Sequence, residues 1–288
     1  MGVELATSVE EFLAVTEGYR ARQPLRTNVI ASVATSVVTG ARRYDSYRWW
    51  VVRGDGDEVI GIAMRTSPHP MVVAPMPAWA ARLLGRSVAE HDDDLGGVLG
   101  EDEVVSALLD GYRASGSVGS QRSPREVRRE LLYELAELSA PSAEGTGQMA
   151  QFTDLDTLSQ WYEDFAVEAG MLQLSREVVR AHVRESIESG RFHCWTVDGA
   201  PVSFAGHAPL VDAASVLVGR VGPVYTPPEH RRHGYASAVT AVVSEVLTGR
   251  GARVILTTDA ANPTSNKIYQ TIGYRLVGET RLLEFDSP

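Results

Sequence analysis

One order of periodicities occurs twice along this chain, and it limits the fold more than any other feature. Helical spacing in SVEEFLAVTEGYRA and TNVIASVATSVV precedes two strand-like runs, YRWWVV and EVIGIAM, which flank RGDGD as a hairpin would. In the second half, LDTLSQWYEDFAVEAG and SREVVRAHVRESIES again have helical spacing. RFHCWTV and PVSFAGHAPL then flank Asp198-Gly199, a two-residue turn signal. In both halves the next strand-like run ends in proline, MVVAPMP first and VGPVYTPP later. The order predicts a diverged tandem repeat.

A chain of 288 residues has room for two cores. LSAPSAEGTGQ, residues 138–148, replaces periodic apolar spacing with proline, serine and glycine and reads as the connection. The expected units are residues 1–140 and 147–288. With 44% hydrophobic and 22% charged residues, no apolar run of membrane-spanning length and no basic-then-apolar leader after Met1, the expectation is a cytoplasmic protein that meets no membrane. The single cysteine, Cys194, excludes a disulfide within the chain and a cysteine metal cluster, and reads as a buried thiol. The histidines have no metal-ligand spacing, so no metal is expected. A net charge of -10 opposes a nucleic-acid partner.

Against that acidic background, YTPPEHRRHGYASA at residues 225–238 is a basic island. It follows the valine-rich run SVLVGRVGPVYT, in which Pro223 donates no ladder hydrogen bond and so predicts an edge or an interruption that frees the backbone of Val224, Tyr225 and Thr226. It precedes a helical pattern carried by Val239, Val242, Val243, Val246 and Leu247. Arg231, Arg232, His233, Gly234, Tyr235, Ala236 and Ser237 therefore occupy a loop and a first helical turn. Free N–H groups and the positive end of the helix dipole there suit an anion.

Arg231-x-x-Gly234-x-Ala236 after such a strand resembles the acetyl-CoA pyrophosphate loop of the GCN5-related N-acetyltransferases (GNAT). RVILTTDAANPTSNKIYQTIGYRLVGE resembles their strand, asparagine-rich turn, short helix and closing strand, with Asn262, Asn266 and Tyr269 at the matching positions. The likeness covers roughly residues 148–286. It implies an α/β (α+β) fold of two GNAT-like domains, each a mixed, mostly antiparallel sheet flanked by helices. It also implies one acetyl-CoA site, made by Val224 to Thr226, Arg231 to Ser237, Asn262 and Asn266. AWAARLLGR occupies the corresponding slot of the first half without a glycine loop, so that half reads as a degenerate repeat.

The implied reaction is direct attack by a primary amine of a small molecule or peptide on the acetyl thioester. Thiols titrate near ~8.5 and tyrosines near ~10, so Tyr269 keeps a proton to give the leaving sulfur. A backbone N–H near Val224 or Tyr225 would stabilise the carbonyl oxygen. Glu168 and Glu229 are candidate bases, each equally readable as a solvated carboxylate. Trp161, Tyr162 and Phe165 lie on the helix that borders the acceptor in this family, although such a stripe also suits a core. A CoA-binding regulatory or scaffold protein without transfer is the alternative function.

Overall fold

The computed structural model describes residues 1–42, 44–91, 95–116, 119, 122–139, 141–171, 173–213 and 216–285; Ala140 of the expected connection and Ser215 of the valine-rich run lie outside them. The first half runs β1 (Gly2–Leu5), α1 (Val9–Val15), α2 (Glu17–Arg22), α3 (Asn28–Val38), β2 (Tyr47–Arg53), β3 (Val59–Thr66), β4 (Met71–Val73), α4 (Ala78–His91), β5 (Gly97–Gly100), α5 (Asp102–Ala114) and β6 (Pro124–Leu135). The second runs β7 (Thr146–Met149), α6 (Leu155–Glu168), α7 (Arg176–Glu188), β8 (Phe192–Val197), β9 (Ala200–His207), β10 (Val211–Ala213), β11 (Val216–Tyr225), α8 (Tyr235–Gly249), β12 (Arg253–Asp259), α9 (Pro263–Thr271) and β13 (Tyr274–Phe285).

Local chemistry sets several of these boundaries. Ser8 caps α1 by accepting the Glu11 N–H. SVEEFLAVTEGYRA forms two helices rather than one, because the chain leaves helical geometry at buried Thr16, whose hydroxyl bonds back to the Phe12 carbonyl at 2.6 Å. Asp198 and Gly199 both have positive φ, 50° and 79°, as a tight turn between β8 and β9 requires.

The repeat is visible in the pairing. The strands form one sheet in the order β1-β2-β3-β4-β5-β13-β6-β12-β11-β9-β8-β7, with β10 beside β11. Its two ends mirror each other about the central β13–β6 pair: β4 runs parallel to β5, as β11 does to β12, and those pairs are flanked by antiparallel hairpins. The halves nevertheless exchange strands. β6, made by the first half, pairs with β12, while β13, made by the second, pairs with β5. In space, therefore, each half is closed by a strand of the other.

Helices cover both faces of each half. Adjacent Trp49 and Trp50 point to opposite faces of β2, the first into the α1–α3 cluster with Phe12 and Ile30, the second onto α4 and α5 with Leu84 and Leu108. In the second half, Phe192, Phe204 and Cys194 pack on α6 and α7, whereas Val239, Val243 and Leu247 of α8 pack with Leu256, Tyr269 and Tyr274. Burial pushes the Cys194 thiol up to about 12, consistent with an unreactive core residue. Among the described residues, no helix is long and apolar enough to cross a membrane.

Candidate functional site

The second half contains a slot that begins in backbone geometry. β11 pairs in parallel with β12 from Val218 to Val221, opposite Arg253 to Leu256, and the pairing then stops. On its other side the register with β9 shifts between Val221 and Val224. Gly222 lies inside this bulge with φ 145°, a conformation that a side chain would strain. Beyond Val221 the two parallel strands therefore diverge.

The groups expected to be free there are only partly so. Val224 and Tyr225 keep their register opposite Ala205 and Phe204. The Tyr225 carbonyl accepts the Ser203 hydroxyl at 3.0 Å, and the Thr226 carbonyl accepts Arg231 Nε at 2.9 Å. The Thr226 hydroxyl pairs with that of Ser203 at 2.8 Å. Thr226 thus fastens the strand end, and the β12-facing side of the bulge is what remains open.

After a short turn at Pro228–His230 the chain passes through two left-handed residues, Arg232 at φ 69° and Gly234 at φ 81°, and enters α8. Ala238 is the first residue of this helix whose N–H reaches a helical carbonyl, that of Gly234 at 3.0 Å; the amides of Tyr235, Ala236 and Ser237 point out of the first turn. The basic side chains divide. Arg231 grips Glu168 at 2.7 and 2.9 Å and lies over the Tyr225 ring. Exposed Arg232 makes no ion pair among the described residues and remains the loop's cation. His233 stacks on Tyr235 at 5.3 Å, and the Tyr235 side chain is buried, so this residue offers only its backbone.

A groove of about 420 Å³ runs from Ser237 along α9, lined by Pro263, Thr264, Lys267, Ile268 and Thr271. Lys267 is the chain's only lysine, a signal that was present in the sequence and missed in the motif reading. Asn262 caps α9 through its side chain, which accepts the Ser265 N–H at 3.0 Å, with Pro263 at the first turn. Asn266 donates to the carbonyls of Asp259 and Ala260 at 3.1 and 3.4 Å, holding α9 to the end of β12. Each amide is thus engaged through one of its two atoms, Asn262 through Oδ1 and Asn266 through Nδ2, while Asn266 Oδ1 is buried without a partner among the described residues.

Tyr269 is buried in the cluster that contains Val221, Val224 and Leu256, beside the mouth of the slot. Its ring meets Tyr274 edge-on at 6.2 Å, and its hydroxyl takes no hydrogen bond among the described residues. Burial pushes it up to about 12, so the phenol keeps its proton at neutral pH.

The connection between the halves also borders this site. A Cβ on Gly234 would lie 3.7 Å from Ala143 Cβ and 3.9 Å from the Ser142 carbonyl oxygen. Trp195 Nε1 donates to the Glu144 carbonyl at 2.7 Å, and Ser139 N–H to that of Ile272 at 3.1 Å. The stretch read as a plain linker is therefore a wall beside the loop. In the first half the corresponding helix starts directly: the N–H groups of Ala80 and Ala81 both bond Pro77, and no residue from Met71 to His91 has positive φ.

On the opposite face, Trp161 stacks on Phe204 at 6.3 Å and Tyr162 meets His182 at 5.2 Å, so the aromatic stripe packs on the core while remaining partly exposed. Burial, with Arg42 and Arg191 nearby, pulls His182 down to about 4. Glu229 is exposed and unpaired among the described residues. Glu163 on α6, absent from the sequence candidates, has a buried Oε1 without a partner. No group of three or more metal-binding side chains occurs among the described residues.

Two parallel strands thus part at a bulge and lead into a left-handed glycine and a helix start. Residues 213–283 match the family described as FR47-like protein. Among solved structures, a GCN5-related N-acetyltransferase from Sphaerobacter thermophilus is similar at 16% identity and TM-score 0.65, covering 99% of this chain and 96% of that one. A GNAT-family acetyltransferase from Colwellia psychrerythraea is similar at 10% identity and TM-score 0.60 over 100% of both chains. A tandem GNAT protein from the clavulanic acid biosynthesis pathway is similar at 13% identity and TM-score 0.59, over 99% of each. No curated protein matches in sequence. The chain carries the GNAT fold in its tandem arrangement.

Proposed function

We propose that the protein transfers an acetyl group from acetyl-CoA to a primary amine of a small molecule or peptide, at one site in its second half. What supports this reading most is the continuous path from the open amides of Tyr235 to Ser237, through left-handed Gly234, to the divergence of β11 from β12 at Val221. The first helical turn and Arg232 suit a pyrophosphate, and Lys267 and Thr264 offer a donor-rich groove beside it. Bound there, acetyl-CoA supplies the activated acetyl group.

The chain's own residues then have three tasks. The β12-facing backbone at the bulge can donate to a carbonyl oxygen as it gains charge. Neutral Tyr269, whose hydroxyl has no partner among the described residues, holds a proton for the departing sulfur. As the amine forms its C–N bond and the C–S bond breaks, the amine gives up one proton. Glu163, whose Oε1 is buried without a partner among the described residues, is the candidate to accept it, whereas Glu168 is committed to Arg231.

Titration calorimetry with acetyl-CoA, followed by thiol release across a panel of amines, tests this. One cofactor bound per chain is expected. No binding at millimolar acetyl-CoA overturns the reading.

A further inference from the structure

Arg220 is the unusual cation of this protein. It lies on β11 one residue before Val221, where the pairing with β12 ends. A Cβ on the preceding Gly219 would meet Leu247 of α8, so alternation turns Arg220 to the opposite face, toward α6 and the helices of the first half. There its Nε donates to Asn28 Oδ1 at 3.2 Å, across the junction of the two halves.

That is the only hydrogen bond of its side chain among the described residues, and none of their carboxylates forms an ion pair with it. Glu130 is the acidic group whose charge it feels, yet Glu130 is taken by Arg128 at 2.8 Å. Arg42 adds a second positive charge, and Tyr162 stands nearby. Burial, reinforced by Arg42, pulls the Arg220 guanidinium below the usual arginine value. A half-buried guanidinium beside a like charge and without a carboxylate of its own is favoured by a nearby anion.

Asn28 supplies an independent sign. It is 1% exposed, and its Nδ2 has no acceptor. The amide cannot be reversed, because arginine only donates and therefore must face Oδ1. Nη1 and Nη2 of half-exposed Arg220 and the buried Asn28 Nδ2 thus lie on two side chains joined by the Nε–Oδ1 bond, and have no protein acceptor among the described residues. An acceptor-only, two-oxygen group satisfies such a cluster, and a carboxylate is that group.

We infer that the amine acetylated by this protein carries a carboxylate, which Arg220 and Asn28 hold at the junction of the two halves. The inference rests on the proposed acetyl transfer and names its substrate class. Arg220 is adjacent to the closed end of the slot, so amine and carboxylate belong to one small molecule, separated by roughly the reach of an arginine side chain and one strand residue, ~10 Å or less. An amino acid fits this description, and a polyamine does not. The degenerate half gains a task, since α3 furnishes part of the acceptor site.

The test uses the full chain and matched amines: β-alanine, γ-aminobutyrate and the common amino acids, each against its carboxamide, with phosphoethanolamine as a phosphate arm. Calorimetry reads binding with and without acetyl-CoA, and thiol release reads turnover. At least one carboxylate is expected to exceed its carboxamide by about tenfold or more in affinity and in kcat/KM. Arg220→Met should bring that ratio near one, leave acetyl-CoA affinity unchanged, and leave Tm equal or higher because a half-buried charge without a carboxylate partner is gone. Asn28→Asp, which places a carboxylate beside Arg220, should also raise Tm and abolish the preference. Equal binding of acids and carboxamides overturns the inference whatever acetyl-CoA does, as does a preference that survives both variants. Phosphoethanolamine outperforming every carboxylate overturns it in favour of a phosphate ligand. Absence of acetyl-CoA binding alone would instead strike the transfer reading, with acid-over-amide binding still measured separately.

Discussion

Arg231 and Glu168 join the loop before α8 to α6: the guanidinium donates to both carboxylate oxygens while its Nε holds the Thr226 carbonyl. The first residue of the loop pattern thus sets the loop against α6 instead of facing outward as a charge. A carboxylate held in this way cannot also act as a free base. Glu168→Gln is expected to keep kcat/KM within about threefold of wild type with the same pH profile, since surface ion pairs contribute little. A base role for Glu168 would appear as a loss of a hundredfold or so in kcat.

Gly234 separates two effects of substitution. At φ 81° any side chain costs about 1 kcal/mol, while the space ahead is open to 3.7 Å. Gly234→Ala should therefore lower Tm slightly and retain acetyl-CoA binding. Gly234→Glu should remove binding altogether by repelling phosphate, and unchanged calorimetric affinity would defeat the assignment of the loop.

Tyr269→Phe should leave stability and acetyl-CoA affinity nearly unchanged, because the hydroxyl makes no hydrogen bond among the described residues. Turnover should fall by roughly 10²-fold, the usual range for a lost proton donor. Single-turnover rates equal to wild type would assign the proton to another donor.

Acid should destabilise the protein well above the carboxylate range. Burial pulls His193 and His182 down to about 4, with His207 and Arg250 adding to it at His193, and His207 is lowered too. Folded values below the unfolded ~6.5 mean that their stabilising effect is complete above ~6.5 and is lost as pH falls from there toward 4. Each of the two lower ones contributes on the order of a few kcal/mol across that window. Melts at pH 7.5 and 4.5 should differ by many degrees, and His193→Phe should flatten the dependence. A Tm independent of pH would contradict the burial of these rings in neutral form.

The repeat, both hairpins, the bulge at Pro223 and the cap at Asn262 were legible because each follows from local rules: period, turn chemistry, a missing N–H, a short polar side chain. What stayed hidden depends on contacts across long separations. Nothing near Arg231 in sequence announces Glu168, 63 positions away, and nothing near Arg220 announces Asn28, 192 positions away. Asn266 had the right spacing for a ligand contact, and only the fold shows its amide holding the end of β12. Proline, serine and glycine between the halves signalled irregular backbone correctly, but irregular backbone can still be a wall.

The strand exchange also governs the order of events during synthesis. β5 is complete by Gly100, yet its outer partner is β13, which starts at Tyr274. Until that strand has left the ribosome, the first half has a finished hydrophobic face and an unpaired sheet edge, so it must wait for its neighbour instead of folding ahead of it. Nascent chains of this architecture will depend on holding chaperones for nearly their whole length, and both halves should become protease-resistant at the same moment.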